Sequence, residues 1–233
     1  MIDIIYIIGK PGSGKSIFIW YLNSLLDEDG IGVKHISDRL GLEQKVLHDV
    51  KNVRVNSLGI KVGKHSKLIK DGPPGHRKVH VLDGLFLNQF HEQTIKKLSR
   101  QKEQKKVTIV EYATGPIIDF APGKPKLLQD SHHFVGFLRK HRLINRVFIV
   151  DIDVPLSVRE QREARRPDAM DTETFRSYFP DGGEISKNDV RLLNSHYYRF
   201  HNHEEDQDGY YNEARYIYLS KIKPHLKNNK RKF

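Results

Sequence analysis

Hydrophobic residues occur along this chain in two kinds of pattern, short continuous runs and longer stretches with helical spacing. The first run, Met1 to Ile8, is apolar apart from Asp3. A continuous run of this kind is typical of a strand that is buried on both faces of a parallel sheet. Similar short runs predict further strands at residues 31–36, 79–82, 107–110, 147–152 and 216–219.

Stretches with apolar residues three and four positions apart predict helices between these strands. The predicted helices cover residues 17–26, 40–50, 86–102, 132–141 and 156–166. Because strands and helices alternate, we predict parallel crossover connections and a three-layer α/β fold with a five-stranded, mainly parallel sheet. Residues 52–78 interrupt the alternation and predict an inserted hairpin or loop. We expect one domain over residues 1–220 and a basic tail over residues 221–233.

The segment after the first predicted strand contains three glycines and ends in Lys-Ser. Its residues are Gly9, Lys10, Pro11, Gly12, Ser13, Gly14, Lys15 and Ser16. Glycines permit backbone conformations in which successive N–H groups point into one concavity, and the following helix N-terminus adds positive potential there. In such a Walker A loop, Lys15 would reach the β- and γ-phosphates and the Ser16 hydroxyl would coordinate Mg²⁺. The loop therefore predicts a site for Mg²⁺ and ATP, with GTP as the alternative.

An acidic residue at the end of a neighbouring strand commonly supplies a second contact to the Mg²⁺ of such sites. Three acids end predicted strands in this chain, namely Asp83, Glu111 and Asp151. We favour Glu111, because its strand is entirely apolar and small residues follow it, and we keep Asp83 as the main alternative. Each of these acids could instead cap a helix or face water.

Asp38 follows the second predicted strand, in the region where open α/β sheets bind their ligands. A carboxylate at this position can accept the proton of a hydroxyl group or orient an acceptor substrate. It could equally be the N-cap of the helix that begins near Arg39.

Several arginines lie on the predicted helix 156–166, and their spacing places Arg159, Arg162 and Arg166 on one face. The planar guanidinium group suits phosphate oxygens, and a phosphoryl group in transfer requires such donors. A Pro-Asp turn and an aromatic segment follow the helix, so we predict a mobile lid over residues 156–185. The alternative is a solvated helix face with nearby glutamates as partners.

Composition narrows the range of partners. The chain has no cysteine, which excludes disulfides and thiolate chemistry and fits a reducing, cytoplasmic location. No apolar run approaches the ~20 residues of a membrane span, so we expect no association with a membrane.

The net charge of +11 makes nucleic acid a candidate partner. We do not favour it, because the cations are scattered, with the densest runs at residues 96–106 and 221–232. The histidines of residues 195–203 match no metal-binding spacing.

The glycine loop, the strand order and the arginine-bearing helix resemble the P-loop kinases of nucleotides and small metabolites, the adenylate-kinase-like group. The resemblance covers residues 1–220 and implies a parallel sheet of order 2-3-1-4-5, ATP and Mg²⁺, and a lid with arginines. The segment Val81-Leu82-Asp83-Gly84 is similar to nucleoside monophosphate kinases, but Leu85-Phe86 follows where that family has Phe-Pro-Arg. A nucleoside monophosphate is therefore not supported as the substrate.

Together these features predict an ATP-dependent phosphotransferase that acts on a small acceptor with a hydroxyl or phosphate group. The loop would bind ATP and Mg²⁺, Asp38 would address the acceptor, and the arginines would stabilise the transferred charge. The alternative is an NTPase or a nucleotide-dependent switch that acts with a protein or RNA partner.

Overall fold

The computed structural model describes residues 2–75, 77–82, 84–101, 106–113, 131–166, 172–178, 185–202 and 207–226. The strands in these ranges are β1 (Ile4–Gly9), β2 (Val33–Ser37), β3 (Lys61–Val62), β4 (Ser66–Lys70), β5 (Lys78–Val81), β6 (Val107–Ala113), β7 (Val147–Asp153) and β8 (Tyr197–His201). The α-helices are α1 (Lys15–Glu28), α2 (Asp38–Asp49), α3 (Gly84–Arg100), α4 (Ser131–Lys140), α5 (Leu156–Ala164), α6 (Thr172–Tyr178), α7 (Lys187–Leu193) and α8 (Gln207–Ile217). None of the helices in this part of the chain is long and apolar enough to cross a membrane.

The main sheet contains five parallel strands in the order β2-β6-β1-β7-β8. Numbered along the chain, these strands have the order 2-3-1-4-5, so the predicted α/β class and strand order are confirmed. β1 lies at the centre, and all six of its residues are buried. Burial of both strand faces explains the continuous apolar run at the N-terminus.

Helices cover both faces of this sheet and form two hydrophobic cores. One core contains residues of α1 and α8, including Phe18, Leu22 and Ile217. The other contains residues of α3, α4 and α7, including Ile95 and Phe134. The carboxyl ends of all five strands therefore meet at one edge between two helical layers, and ligands bind at such edges in open α/β sheets.

The interruption after α2 contains a small antiparallel sheet of order β3-β4-β5. It has its own apolar cluster, in which Leu68 of β4 packs with Val46, Val50 and Phe86. Asp49 at the end of α2 accepts hydrogen bonds from Ser66 Oγ (2.7 Å) and His65 N (3.0 Å). The small sheet is thus attached to α2 by both apolar packing and hydrogen bonds.

The last strand of the main sheet differs from the prediction. Residues 216–219, predicted as a strand, lie in α8 and in a π-helical continuation, Tyr218–Ile222. The fifth strand is instead β8, which pairs with β7. The prediction was wrong because a four-residue apolar run fits a strand and a buried helix segment equally well.

The folded chain continues beyond residue 221, where the basic tail was expected to begin. Ile222 and Leu226 are buried in the same core as α1 and α8. Leu226 also forms an isolated bridge with Ile2, and Ile2 N donates to His225 O (3.0 Å). The two ends of the described chain are therefore joined.

Ile222→Ala should lower the free energy of unfolding by about 2–5 kcal/mol, because it leaves a cavity in the core. Ile222 is 0% exposed, whereas Leu219 in the same turn is 44% exposed. Leu219→Ala is the matched control and should cost well under half as much. Urea denaturation of both variants measures the difference, and equal losses would contradict the helical placement of these residues.

Candidate nucleotide-binding site

The glycine loop between β1 and α1 packs against neighbouring backbone so closely that side chains are excluded. A Cβ atom on Gly9 would lie 2.6 Å from the carbonyl oxygen of Ile152 in β7. Gly12 and Gly14 have φ values of +78° and +91°, in the left-handed region. A Cβ atom on Gly12 would lie 3.1 Å from Arg159 O. The loop therefore needs glycine for both its conformation and its packing.

Lys15 lies folded back over this loop. Its Nζ donates to Gly9 O (2.8 Å) and Lys10 O (3.2 Å), and the residue is buried. Burial lowers the pKa of Lys15, while the negative charges of Asp38 and Glu111 act in the opposite direction. The structure thus gathers one cation and two carboxylates at the loop.

Ser16 and Glu111 come together across the chain. Ser16 Oγ donates to Glu111 Oε1 at 3.2 Å. Glu111 follows Val110 in β6, which lies beside β1, so its carboxylate reaches the first turn of α1. Asp83, the alternative acid, lies outside the described residues.

Asp151, the third strand-end acid, is engaged elsewhere. It accepts hydrogen bonds from Tyr197 Oη (2.8 Å) and Arg199 Nη2 (3.3 Å) of β8. Burial raises its pKa, and these two partners oppose that shift. These contacts hold Asp151 against β8, whereas Glu111 contacts Ser16.

Asp38 is the first residue of α2, but it is not the N-cap. Ser37 is the N-cap and accepts from Leu40 N. The Asp38 carboxylate accepts from Arg39 N (2.7 Å) and from Ala113 N (2.5 Å) at the end of β6. Burial raises the pKa of Asp38 to about 6. The negative charge of Glu111 adds to this increase, and the positive charge of Lys15 opposes it. Asp38 is therefore an ionisable group next to both residues, with a pKa close to neutrality.

The three arginines predicted on one helix face occupy different environments, and Arg166 lies two residues beyond the end of α5. Arg159 is fully buried, and its Nε donates to Val154 O (3.1 Å). Arg162 Nη1 donates to Gly12 O (3.2 Å), which places this guanidinium group at the loop. Arg166 pairs with Glu163 (3.0 Å). Equal spacing along a helix thus does not give equal surroundings, because one side of α5 packs against the loop.

Two residues near the C-terminus hold the loop from its other side, and sequence reasoning missed both. Asn202 Nδ2 donates to Ser13 O (3.2 Å), and Tyr210 Oη donates to Gly14 O (3.0 Å). Asn202 is buried. The strand β8 that precedes Asn202 was itself not predicted, so no signal connected this segment to the loop.

A pocket opens beside the two carboxylates, between β6 and α3. Its lining residues are Tyr6, Ile36, Asp38, Phe90, His91, Thr94, Ile95, Val110, Glu111 and Tyr112. Burial lowers the pKa of His91 to about 3, so its imidazole is neutral. Tyr6 Oη is buried and has no hydrogen-bond partner within the described residues. The pocket wall is thus largely aromatic and apolar, with polar atoms at few points.

The loop residues fit a bound phosphate group and a divalent cation. The Ser13 hydroxyl is buried in the loop without a partner among the described residues, so a donor is left for a ligand oxygen. The hydroxyl of Ser16 and the carboxylate of Glu111 are oxygen ligands of the kind that Mg²⁺ prefers. Within the described residues no cluster of three or more His, Asp or Glu side chains forms a metal site by itself.

Comparison with known proteins identifies the fold. No protein-family description matches the sequence, and no curated protein matches it either. Among solved structures, shikimate kinase from Acinetobacter baumannii in complex with shikimate is similar, with 16% identity, a TM-score of 0.50 and coverage of 97% of each chain. The APS kinase of Mycobacterium tuberculosis in complex with AMPPNP and APS has 13% identity and a TM-score of 0.50, and the match covers 94% of this chain and 98% of that one.

At these identities the likeness establishes the fold. The chain has the α/β fold of P-loop small-molecule kinases, and the predicted resemblance to the adenylate-kinase-like group is confirmed at that level.

The carboxyl group of Asp38 should titrate with a midpoint near pH 6, as followed by the ¹³C chemical shift of its side chain. Lys15→Met should raise this midpoint, because it removes a nearby positive charge, and Glu111→Gln should lower it. Asp71, which is exposed, is the internal control and should move in neither variant. A midpoint that is the same in all three proteins would contradict the coupling.

Proposed function

We propose that this protein is a kinase that transfers the γ-phosphoryl group of ATP to a hydroxyl group of an acceptor, in the cytoplasm. The observation that carries the proposal is Asp38, a carboxylate with a pKa of about 6 between the glycine loop and the pocket. A group with this pKa is largely ionised at neutral pH and can accept a hydroxyl proton. A protein that only hydrolysed nucleotide would need the glycine loop but no acceptor pocket beside Asp38.

The loop would bind the phosphates of ATP. Its backbone N–H groups and the N-terminus of α1 favour anions, and Lys15 would leave the carbonyl groups of Gly9 and Lys10 to contact the phosphate oxygens. Arg162, which contacts Gly12, supports the same assignment, because it brings a guanidinium group to the loop. All three arginines belong to the predicted lid, residues 156–185. Arg159 would support the loop by packing behind Gly12, and Arg166 would stabilise the charge of the transferred group.

Ser16 and Glu111 would hold Mg²⁺, directly or through water. When bound, Mg²⁺ neutralises charge on the phosphate oxygens and stabilises the transition state of transfer. The hydrogen bond between these two side chains supports this assignment, since it brings two oxygen atoms together at the end of the loop.

The acceptor hydroxyl would lie in the pocket next to Asp38. Asp38 is fixed by hydrogen bonds from Arg39 N and Ala113 N, so its carboxylate keeps one orientation. Holding the hydroxyl and the γ-phosphoryl group in line accounts for most of the catalysis expected in this class of reaction. The shikimate and the AMPPNP with APS that the two similar kinases bind agree with a nucleotide site beside an acceptor site.

Lys15→Met should reduce transfer of label from γ-labelled ATP to a pooled metabolite extract by at least about 100-fold, because it removes a cation that acts on the transferred group. Lys34→Met, on the exposed part of β2, is the matched control and should retain activity. Thin-layer separation of labelled products measures transfer. Equal activity in the two variants would exclude the loop lysine from the reaction.

A further inference from the structure

The inserted segment between α2 and α3 carries a high net positive charge. Residues 51–80, which we call the basic insertion, contain eight lysines and arginines and one acidic residue. They carry a net charge of +7 out of the +11 of the whole chain. This segment contains β3, β4 and all of β5 except its last residue. The basic insertion is therefore one of three strongly basic segments of the chain, beside residues 96–106 and 221–232.

Most cations of the basic insertion are available to a partner. Arg77 is engaged, since it pairs with Asp71 (2.9 Å) and Glu43 (3.5 Å). In contrast, five cations form no ion pair with any residue that the structure describes, namely Lys51, Arg54, Lys64, Lys67 and Lys70. A cluster of unpaired cations attracts polyanions through release of their counterions.

The basic insertion lies along α2, which starts at the pocket. Asp38 lines the pocket at one end of α2, and Asp49 binds His65 and Ser66 at the other end. At the middle of α2, Glu43 accepts from Gly75 N (2.7 Å) in the connection between β4 and β5. The twelve residues of α2 span about 18 Å. The basic insertion therefore contacts α2 at its middle and at the end remote from Asp38, and the length of α2 exceeds that of a small metabolite.

The pocket itself has the opposite electrostatic character. Its described lining contains two carboxylates, Asp38 and Glu111, a neutral His91, and no lysine or arginine. A phosphate or carboxylate group in contact with the two acids would meet two negative charges, against the single positive charge of the neighbouring Lys15. The part of the acceptor that reacts must consequently be uncharged, while the part that lies on the basic insertion must be polyanionic.

We propose that the acceptor is a terminal hydroxyl group of a single-stranded nucleic acid, whose backbone phosphates lie on the basic insertion. This proposal rests on the proposed kinase function and names its substrate class. A nucleic acid has the required arrangement, since an uncharged hydroxyl at its end adjoins a row of phosphates. A single strand fits better than a duplex, because an unpaired terminal nucleotide can bring its hydroxyl group to the narrow pocket without the loss of a base pair.

The reaction is a balanced phosphoryl transfer. The terminal hydroxyl oxygen forms a bond to the γ-phosphorus of ATP, and the bond between that phosphorus and the β–γ bridging oxygen breaks. ADP leaves with the bonding electron pair. The hydroxyl proton passes to the Asp38 carboxylate and then to solvent.

Binding is tested with a twelve-nucleotide single strand that has hydroxyl groups at both ends and a fluorophore on an internal base. Lys64→Ala/Lys70→Ala should weaken binding about 25-fold at 0.1 M salt and reduce the salt slope by about 1.4, as expected for two lost phosphate contacts. Lys97→Ala/Arg100→Ala, on α3, removes the same charge from the densest basic run of the sequence and is the matched control. Equal effects of the two pairs, or binding to phosphatidylserine vesicles without binding to the strand, would overturn the proposal.

Transfer is tested with γ-labelled ATP and the same strand, compared with a strand that carries phosphate at both ends. Label should enter only the strand with hydroxyl ends, and Lys64→Ala/Lys70→Ala should raise KM with little change in kcat. If pooled small metabolites accept label and the strand does not, this proposal fails and the kinase function stands. If no acceptor of any kind takes label from ATP, the kinase function fails as well.

Discussion

Close packing between the glycine loop and its surroundings is the constraint on which the rest of this site depends. A Cβ atom on Gly9 would clash with the Ile152 carbonyl of β7, and one on Gly12 would be tightly packed against the backbone of Arg159 in α5. Asn202 and Tyr210 hold the loop from the C-terminal side. Elements distant in sequence thus fix one short loop, and the buried central strand β1 anchors it.

The fixed loop in turn sets the charges around it. Lys15 is buried together with Asp38 and Glu111, so each of these groups influences the protonation of another. Asp38 gains a pKa near neutrality because burial outweighs the attraction of Lys15. A bound polyphosphate would add negative charge beside this carboxylate and favour its protonated form. In the proposed reaction, binding of the nucleotide would therefore be coupled to the protonation state of Asp38.

Sequence reasoning succeeded where local pattern and tertiary structure agree. Continuous apolar runs identified β1, β6 and β7, because strands buried on both faces need no alternation. It failed at β8, an edge strand whose tyrosines, arginine and histidine contain no such run, and at residues 216–219. There, the buried residues Tyr210, Ala214, Ile217 and Tyr218 have helical spacing, which a longer window would have detected.

The site was predictable in its motif but only partly in its geometry. Spacing placed Arg159, Arg162 and Arg166 on one helix face, yet which of them is buried depends on how α5 meets the loop, which no local pattern encodes. The sequence also did not show which cations would be ion-paired in the folded chain. A count along the chain treats all cations alike, whereas the fold neutralises Arg77 and leaves the lysines of β4 unpaired beside α2. The separation between an acidic pocket and a basic insertion is a property of the folded chain, and the acceptor proposed above, with charge only away from its reacting end, matches that separation.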